Sequence, residues 1–262
     1  MKKIFLVVAF ALIASGASAW GLTQDEGVVV LASKYLTPKA KAVFDNYLGE
    51  SYLDDVQYLT NLEKKKKATH TKEIHYLHLN SELKPMKVEG DDALVALESA
   101  IAVVSSRDSH SKEQVVKALR TIINLMCDIH NFSNVRIEGV AHSQANFEFQ
   151  CYGGDVGKRK EAKPMRWDRF WSSYAGWHAG FSGNLWAEDI ELCHGKQREE
   201  FSAGLLHDWV AQIGAEASTL YARLNPEYVM TRRERNELEY LNYEMIARAS
   251  YRLAALMNDI VK

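Results

Sequence analysis

The stretch TRRERNELEYLNYEMIARASYRLAALMNDIV, residues 231–261, sets the fold class. Within it Leu241, Met245, Ala249, Leu253, Leu256 and Ile260 recur three or four positions apart. A helix collects residues at that spacing into one apolar stripe and sends the charged ones to other faces. The same periodicity, read back toward the N-terminus, predicts helices over 197–224, 168–179, 112–132, 91–105, 52–62 and 26–49. Only four prolines occur, at 38, 85, 164 and 226, and Thr37-Pro38 and Asn225-Pro226 mark breaks or helix starts. The segment 133–165 is different. It has few helical signals, Val140 to Tyr152 reads as a short strand pair, and Gly153-Gly154-Asp155-Val156-Gly157 reads as a loop. No repeat, low-complexity tract or dividing linker appears, so one mainly α domain is expected, with a short irregular or β-containing segment near 133–165.

At the N-terminus Lys2 and Lys3 lead into an apolar run from Ile4 to Ile13 and an Ala17-Ser18-Ala19 junction. This is the layout of a cleaved secretory signal, with an apolar run too short to span a bilayer. Residues 1–19 are therefore read as a signal peptide and 20–262 as the mature domain, secreted or periplasmic. No cysteine follows the junction to carry a lipid. Cleavage after Ala19 exposes the α-amine of Trp20, whose reference pKa of about 7.7–8.0 lets a metal displace its proton near neutral pH. The amine and the Trp20 carbonyl would close a five-membered chelate ring.

Hydrophobic residues at 47% and charged residues at 25% describe a globular chain with a sizeable core. The net charge of −2 becomes more negative once Lys2 and Lys3 are removed, which argues against global steering toward nucleic acid. Any polyanion needs a local site. Two basic runs, Lys64 to Lys67 and Lys158-Arg159-Lys160 with Lys163, are read as solvated loops or phosphate contacts. Cys127, Cys151 and Cys193 follow no C-x-x-C spacing, and sequence cannot choose a disulfide among them.

Chemistry is sought in polar residues on apolar helices. Asn124 and Asp128, at i and i+4, share a face of the 112–132 helix, and a buried carboxylate there requires a cation or a donor. The cation is a metal or an arginine or lysine partner. His75 reads as a structural histidine or a ligand. Asp54-Asp55 and Asp168 read as helix-start residues or ligands.

The order and spacing of these residues resemble the class I single-strand-specific nucleases, the fungal S-one/P-one type and the plant bifunctional enzymes. These are secreted, mostly helical proteins sharing the fold of zinc-dependent phospholipase C. Trp20-Gly21 matches the family's processed terminus, Tyr52 to Gln57 its Trp-Ala-Asp-x-Ile-Arg start, and His75-Tyr76-Leu77 its His-Tyr segment. Asn124 to Asn134 echoes the His-Phe-x-Gly-Asp-x-His-Gln-Pro-Leu-His run, and Pro164 to Asp168 the Asn-Leu-His-x-x-Trp-Asp motif. Trp209-Val210-Ala211 to Tyr221 resembles the Trp-Ala-x-Glu-Ser helix, and Arg252 to Asn258 the closing Arg-Leu-Ala helix. The likeness covers the whole mature chain in order.

The resemblance implies zinc ligands at Trp20, Asp54, His75, Asp128 and Asp168. Asp25 stands where the family has a histidine, and a carboxylate oxygen still ligates zinc. Asn124, Asn134 and Pro164 replace three further histidines, which amides and proline do not replace as donors. One or two zinc ions are therefore expected rather than three, the absent one being that of Asp168. Asp54 is the residue expected to act directly in catalysis. The function implied is a secreted metal-dependent phosphodiesterase acting on single-stranded DNA, RNA or nucleotide 3′-phosphates, with no membrane partner. Trp171, Tyr174, Trp177 or Trp186 would stack bases, or simply pack the core. The other reading is a metal-poor, non-catalytic relative that keeps the fold for binding; a lipid-directed activity is a weaker third.

Overall fold

The computed structural model describes residues 20–49, 74–88, 92–143, 147–152, 162–174, 181–225 and 227–262. Proline divides the first expected helix into α1 (Leu22–Lys34) and α2 (Pro38–Leu48). The Thr37 hydroxyl accepts the Ala40 N–H at 3.2 Å, while Pro38 takes the first helical position, where a missing N–H costs nothing. A hairpin follows, of α3 (Ala93–Ser105) and α4 (Lys112–Ile129), each opened by a side-chain cap, Asp92 and Ser111. The last helix, α7 (Arg232–Ile260), starts on a capping box. Thr231 Oγ1 accepts the Glu234 N–H at 3.2 Å, and Glu234 Oε2 accepts the Thr231 N–H at 2.9 Å.

The mainly α fold stands as expected, and three departures have local causes. The expected helix 197–224 is a short turn, Arg198–Ser202, and then α6 (Leu206–Tyr221). Gly204 lies between them at φ +88°, a left-handed conformation that stops a helix. An unforeseen helix, α5 (Gly183–His194), packs along α1. Its signal is weak because only Gly183, Trp186, Ala187 and Ile190 are buried. Glycine makes the approach close: a Cβ on Gly27 would meet Trp186 Cβ at 2.6 Å, and one on Gly183 would meet Glu26 Cβ at 2.5 Å. Of the expected helix 168–179, the described part is a single turn, Trp167–Arg169, running into a π-type turn over Phe170–Tyr174, while 175–179 lie outside the described residues. The expected helix 52–62 and the Lys64–Lys67 run lie outside the described residues.

The sequence stripe of α7 understates its burial. Met245, Ala249, Leu253 and Leu256 are buried, and so are Ile246, Ala247, Ser250, Ala254 and Met257 on other faces, because α1, α4 and α5 surround its second half. Among the described residues no helix is long and apolar enough to cross a membrane.

Strands are short. β1 (Leu77–Leu79) runs parallel to β2 (Val135–Ile137), with Leu77 opposite Val135. β3 (Glu148–Tyr152) pairs antiparallel with β4 (Ala162–Arg166) and parallel with β5 (Val229–Met230). The partner of β3 is thus residues 162–166 rather than the chain just before it.

Tyr221 closes α6 onto this region, its phenol donating to the Phe132 carbonyl at 2.5 Å and lying 3.0 Å from the Val135 carbonyl. Burial pushes the phenol up to about 12, with the Arg136 charge opposing. The folded chain therefore favours the neutral phenol. That stabilisation is intact below the unfolded pKa of about 10 and drains as pH rises from there toward 12, by about 2–3 kcal/mol. Urea melts taken between about pH 9 and pH 11 should slope downward in the parent and less steeply in Tyr221→Phe. Equal slopes would refute this role.

Candidate functional site

The β1–β2 register builds the centre of the site. Leu77 opposite Val135 places His75, just upstream of β1, beside the turn that leaves α4 at residues 128–134. There His75 Nδ1 lies 2.7 Å from Asp128 Oδ2, and both side chains are buried. An ionised carboxylate only accepts, so Nδ1 carries the proton and a neutral ring presents its lone pair at Nε2. This is how a carboxylate orients an imidazole for metal ligation. Asn134 Nδ2 donates to the other oxygen, Asp128 Oδ1, at 3.1 Å, and to the Asp128 carbonyl at 3.3 Å.

Two more expected ligands come from the start of α1. Asp25 is buried in its first turn. Burial first, then the Asp25 and Asp128 charges, hold the Cys127 thiol well above its ordinary range. Trp20 is fully buried, and its indole N–H donates to Asn242 Oδ1 on α7 at 2.7 Å. These four expected positions thus sit at or beside α1, the β1 approach and the end of α4, and α1 touches α4; of the four, His75 and Asp128 meet. Asp54 lies outside the described residues, as do Lys158, Arg159, Lys160 and Trp177.

The remaining positions behave otherwise. Asn124 Nδ2 donates to its own helix, to the Arg120 carbonyl, at 2.8 Å. Pro164 is exposed on β4 opposite Gln150, away from ligand duty. Asp168 is held by Arg166, with Nη2 at 2.5 Å and Nε at 3.1 Å, and also accepts the Arg169 N–H at 2.7 Å. Its carboxylate thus has an arginine as cation.

As to a metal, imidazole and carboxylate in contact at His75 and Asp128 are of the type that ligates zinc. The surroundings of Asp168 do not suit one. Among the described residues no group of three or more His, Cys, Asp or Glu stands ready to hold a metal. Trp171 and Trp186 are core residues and offer no face to a base. Cys127, Cys151 and Cys193 are all free thiols, the first two buried.

Sequence reading missed three supporting residues. Asn242 receives the Trp20 indole. Arg136, buried against the Tyr76 ring at 3.9 Å, donates to the carbonyls of Ser133 at 2.7 Å and Ser143 at 2.6 Å, fixing the chain after Asn134. His130 donates from Nδ1 to the Met126 carbonyl at 2.7 Å and accepts Arg252 Nη1 at 3.1 Å, tying α4 to α7. Burial and the Arg252 charge hold the His130 pKa well below its usual range, so the ring is neutral. A polar residue inside an apolar helix was the available signal for Asn242 and His130, but it names no partner.

No protein-family model matches this chain, and no curated protein matches it.

Proposed function

We propose that the chain is an exported phosphodiesterase, cut after Ala19, that hydrolyses single-stranded DNA, RNA or nucleotide 3′-phosphates with one or two zinc ions. The observation that carries this reading is the contact of 2.7 Å between His75 and Asp128, two expected ligands 53 positions apart. Trp20, Asp25, Asp54, His75 and Asp128 would hold the metal. When bound, a divalent ion supplies polarisation of the phosphoryl oxygen and a water acidic enough to attack near neutral pH. The chain's own residues prepare that chemistry. Asp128 fixes the His75 tautomer, Asn134 fixes the Asp128 carboxylate, and Asn242 holds Trp20 so that its backbone stays beside α1. Asp54 is the residue assigned to act on the attacking water.

A second reading has its own support. The hydrogen bonds of Asn134 to Asp128, of Asn124 to Arg120, and of Arg166 to Asp168 stand where metal coordination would be. That pattern suits a metal-poor relative kept for binding. Zinc content decides between them. The mature chain starting at Trp20, loaded with zinc and freed of excess, should retain one or two ions and cleave single-stranded DNA. Retention of less than one ion favours the binding module and defeats the hydrolase. One extra residue before Trp20 should cut hydrolysis by roughly 10–100-fold by moving the chelating amine. Unchanged cleavage would remove Trp20 from the site.

A further inference from the structure

Three side chains, on the start of α1, the turn after α4 and the segment after β4, carry a buried donor with no acceptor among the described residues: Gln24 Nε2, Asn131 Nδ2 and Trp171 Nε1. All three side chains are buried. The amide orientations are fixed by what the oxygens do. Gln24 Oε1 accepts the Gly21 N–H at 2.7 Å, and Asn131 Oδ1 accepts the Ser133 N–H at 2.9 Å and its hydroxyl at 2.8 Å. The NH₂ end of each is therefore the unanswered one. A buried donor left so costs about 1–3 kcal/mol.

The three segments adjoin. A Cβ on Gly21 would stand 3.4 Å from the Ser172 carbonyl, which sets the start of α1 against Trp171-Ser172. The rings of Phe132 and Trp171 meet edge-on at 5.3 Å, which sets the Asn131-Phe132 turn there too. The Asn131 N–H donates to the Asp128 carbonyl at 3.1 Å, which sets that turn beside Asp128. Gly21 and Ser172 are partly exposed. Neutral donors grouped beside ligating carboxylates suit an acceptor-rich anion, because they hold its oxygens without adding charge to the metal site.

We infer that Gln24, Asn131 and Trp171 form a phosphate-oxygen subsite next to the His75–Asp128 pair. The identity of the anion rests on the hydrolase reading; the grouping of donors does not. Each of two variants removes one donor and keeps the oxygen contacts of Gln24 and Asn131. Trp171→Phe deletes the indole N–H and retains a buried ring. Asn131→Asp keeps the oxygen that Ser133 uses.

The test is calorimetric titration with inorganic phosphate of the full mature chain, zinc-loaded and EDTA-treated in parallel, with zinc content and melting temperature measured for every variant. The parent should bind phosphate saturably in at least one form. Each folded variant should bind it roughly tenfold or more weakly at unchanged zinc content. No phosphate binding in either form, or parent-like affinity in both variants, overturns the inference and leaves the donors to buried water. If Asn131→Asp fails to fold, Trp171→Phe alone decides. A chain without zinc that still shows variant-sensitive phosphate binding would sink the hydrolase reading and uphold the subsite. Zinc retention without phosphate binding would do the reverse.

Discussion

Asp128→Ala is expected to destabilise the protein by about 2–6 kcal/mol, at about 1–3 kcal/mol for each stranded donor, and to abolish zinc retention. The carboxylate serves His75 on one oxygen and Asn134 on the other, all three being buried. Truncation takes that acceptor from a buried imidazole N–H and a buried amide N–H. Asp128→Asn separates structure from metal. It keeps shape and one acceptor oxygen but presents NH₂ to a second donor, so it should cost only about 1–3 kcal/mol. Zinc should be lost all the same, because a neutral amide is a poor ligand. Urea denaturation midpoints with zinc analysis read both effects. A midpoint for Asp128→Ala equal to that of the parent would show that the His75 contact contributes nothing to the fold.

Trp20→Ala carries the second large effect. The side chain is among the largest fully buried ones, and its removal should cost about 3–5 kcal/mol in lost burial and cavity. The Asn242 oxygen on α7 loses its indole donor as well, adding about 1–3 kcal/mol. Trp20→Phe isolates the hydrogen bond from most of the burial and should lose much less. The denaturation midpoint of the chain starting at residue 20 reports this directly. A small loss in the alanine variant would mean that Trp20 is not the anchor of the processed end.

These two residues also mark how far sequence reading reaches. Trp20, Asp25, His75 and Asp128 were legible as candidates, and the structure brings them to neighbouring segments. Which hydrogen bonds they make was not legible. Asn134 looked like a lost ligand and turns out to hold the Asp128 carboxylate. Asp168 looked like a survivor and is taken by Arg166. Trp171 was readable as a stacking ring or as core packing, and it lies in the core. In each case the residue type was readable but the neighbour was not.

Periodicity, capping residues and prolines act over one or two helical turns. The amino-acid order alone therefore determined the mainly α class, α3, α4 and α7, and the Thr37-Pro38 break. Tertiary structure alone decided α5, whose buried face is too narrow to announce itself before α1 covers it. It also decided the burial of the second half of α7 on nearly all sides, the pairing of β3 with β4 and β5, and the meeting of His75 with Asp128. That last contact follows from strand register, and a strand's register is set by the partner it pairs with, which lies far along the chain.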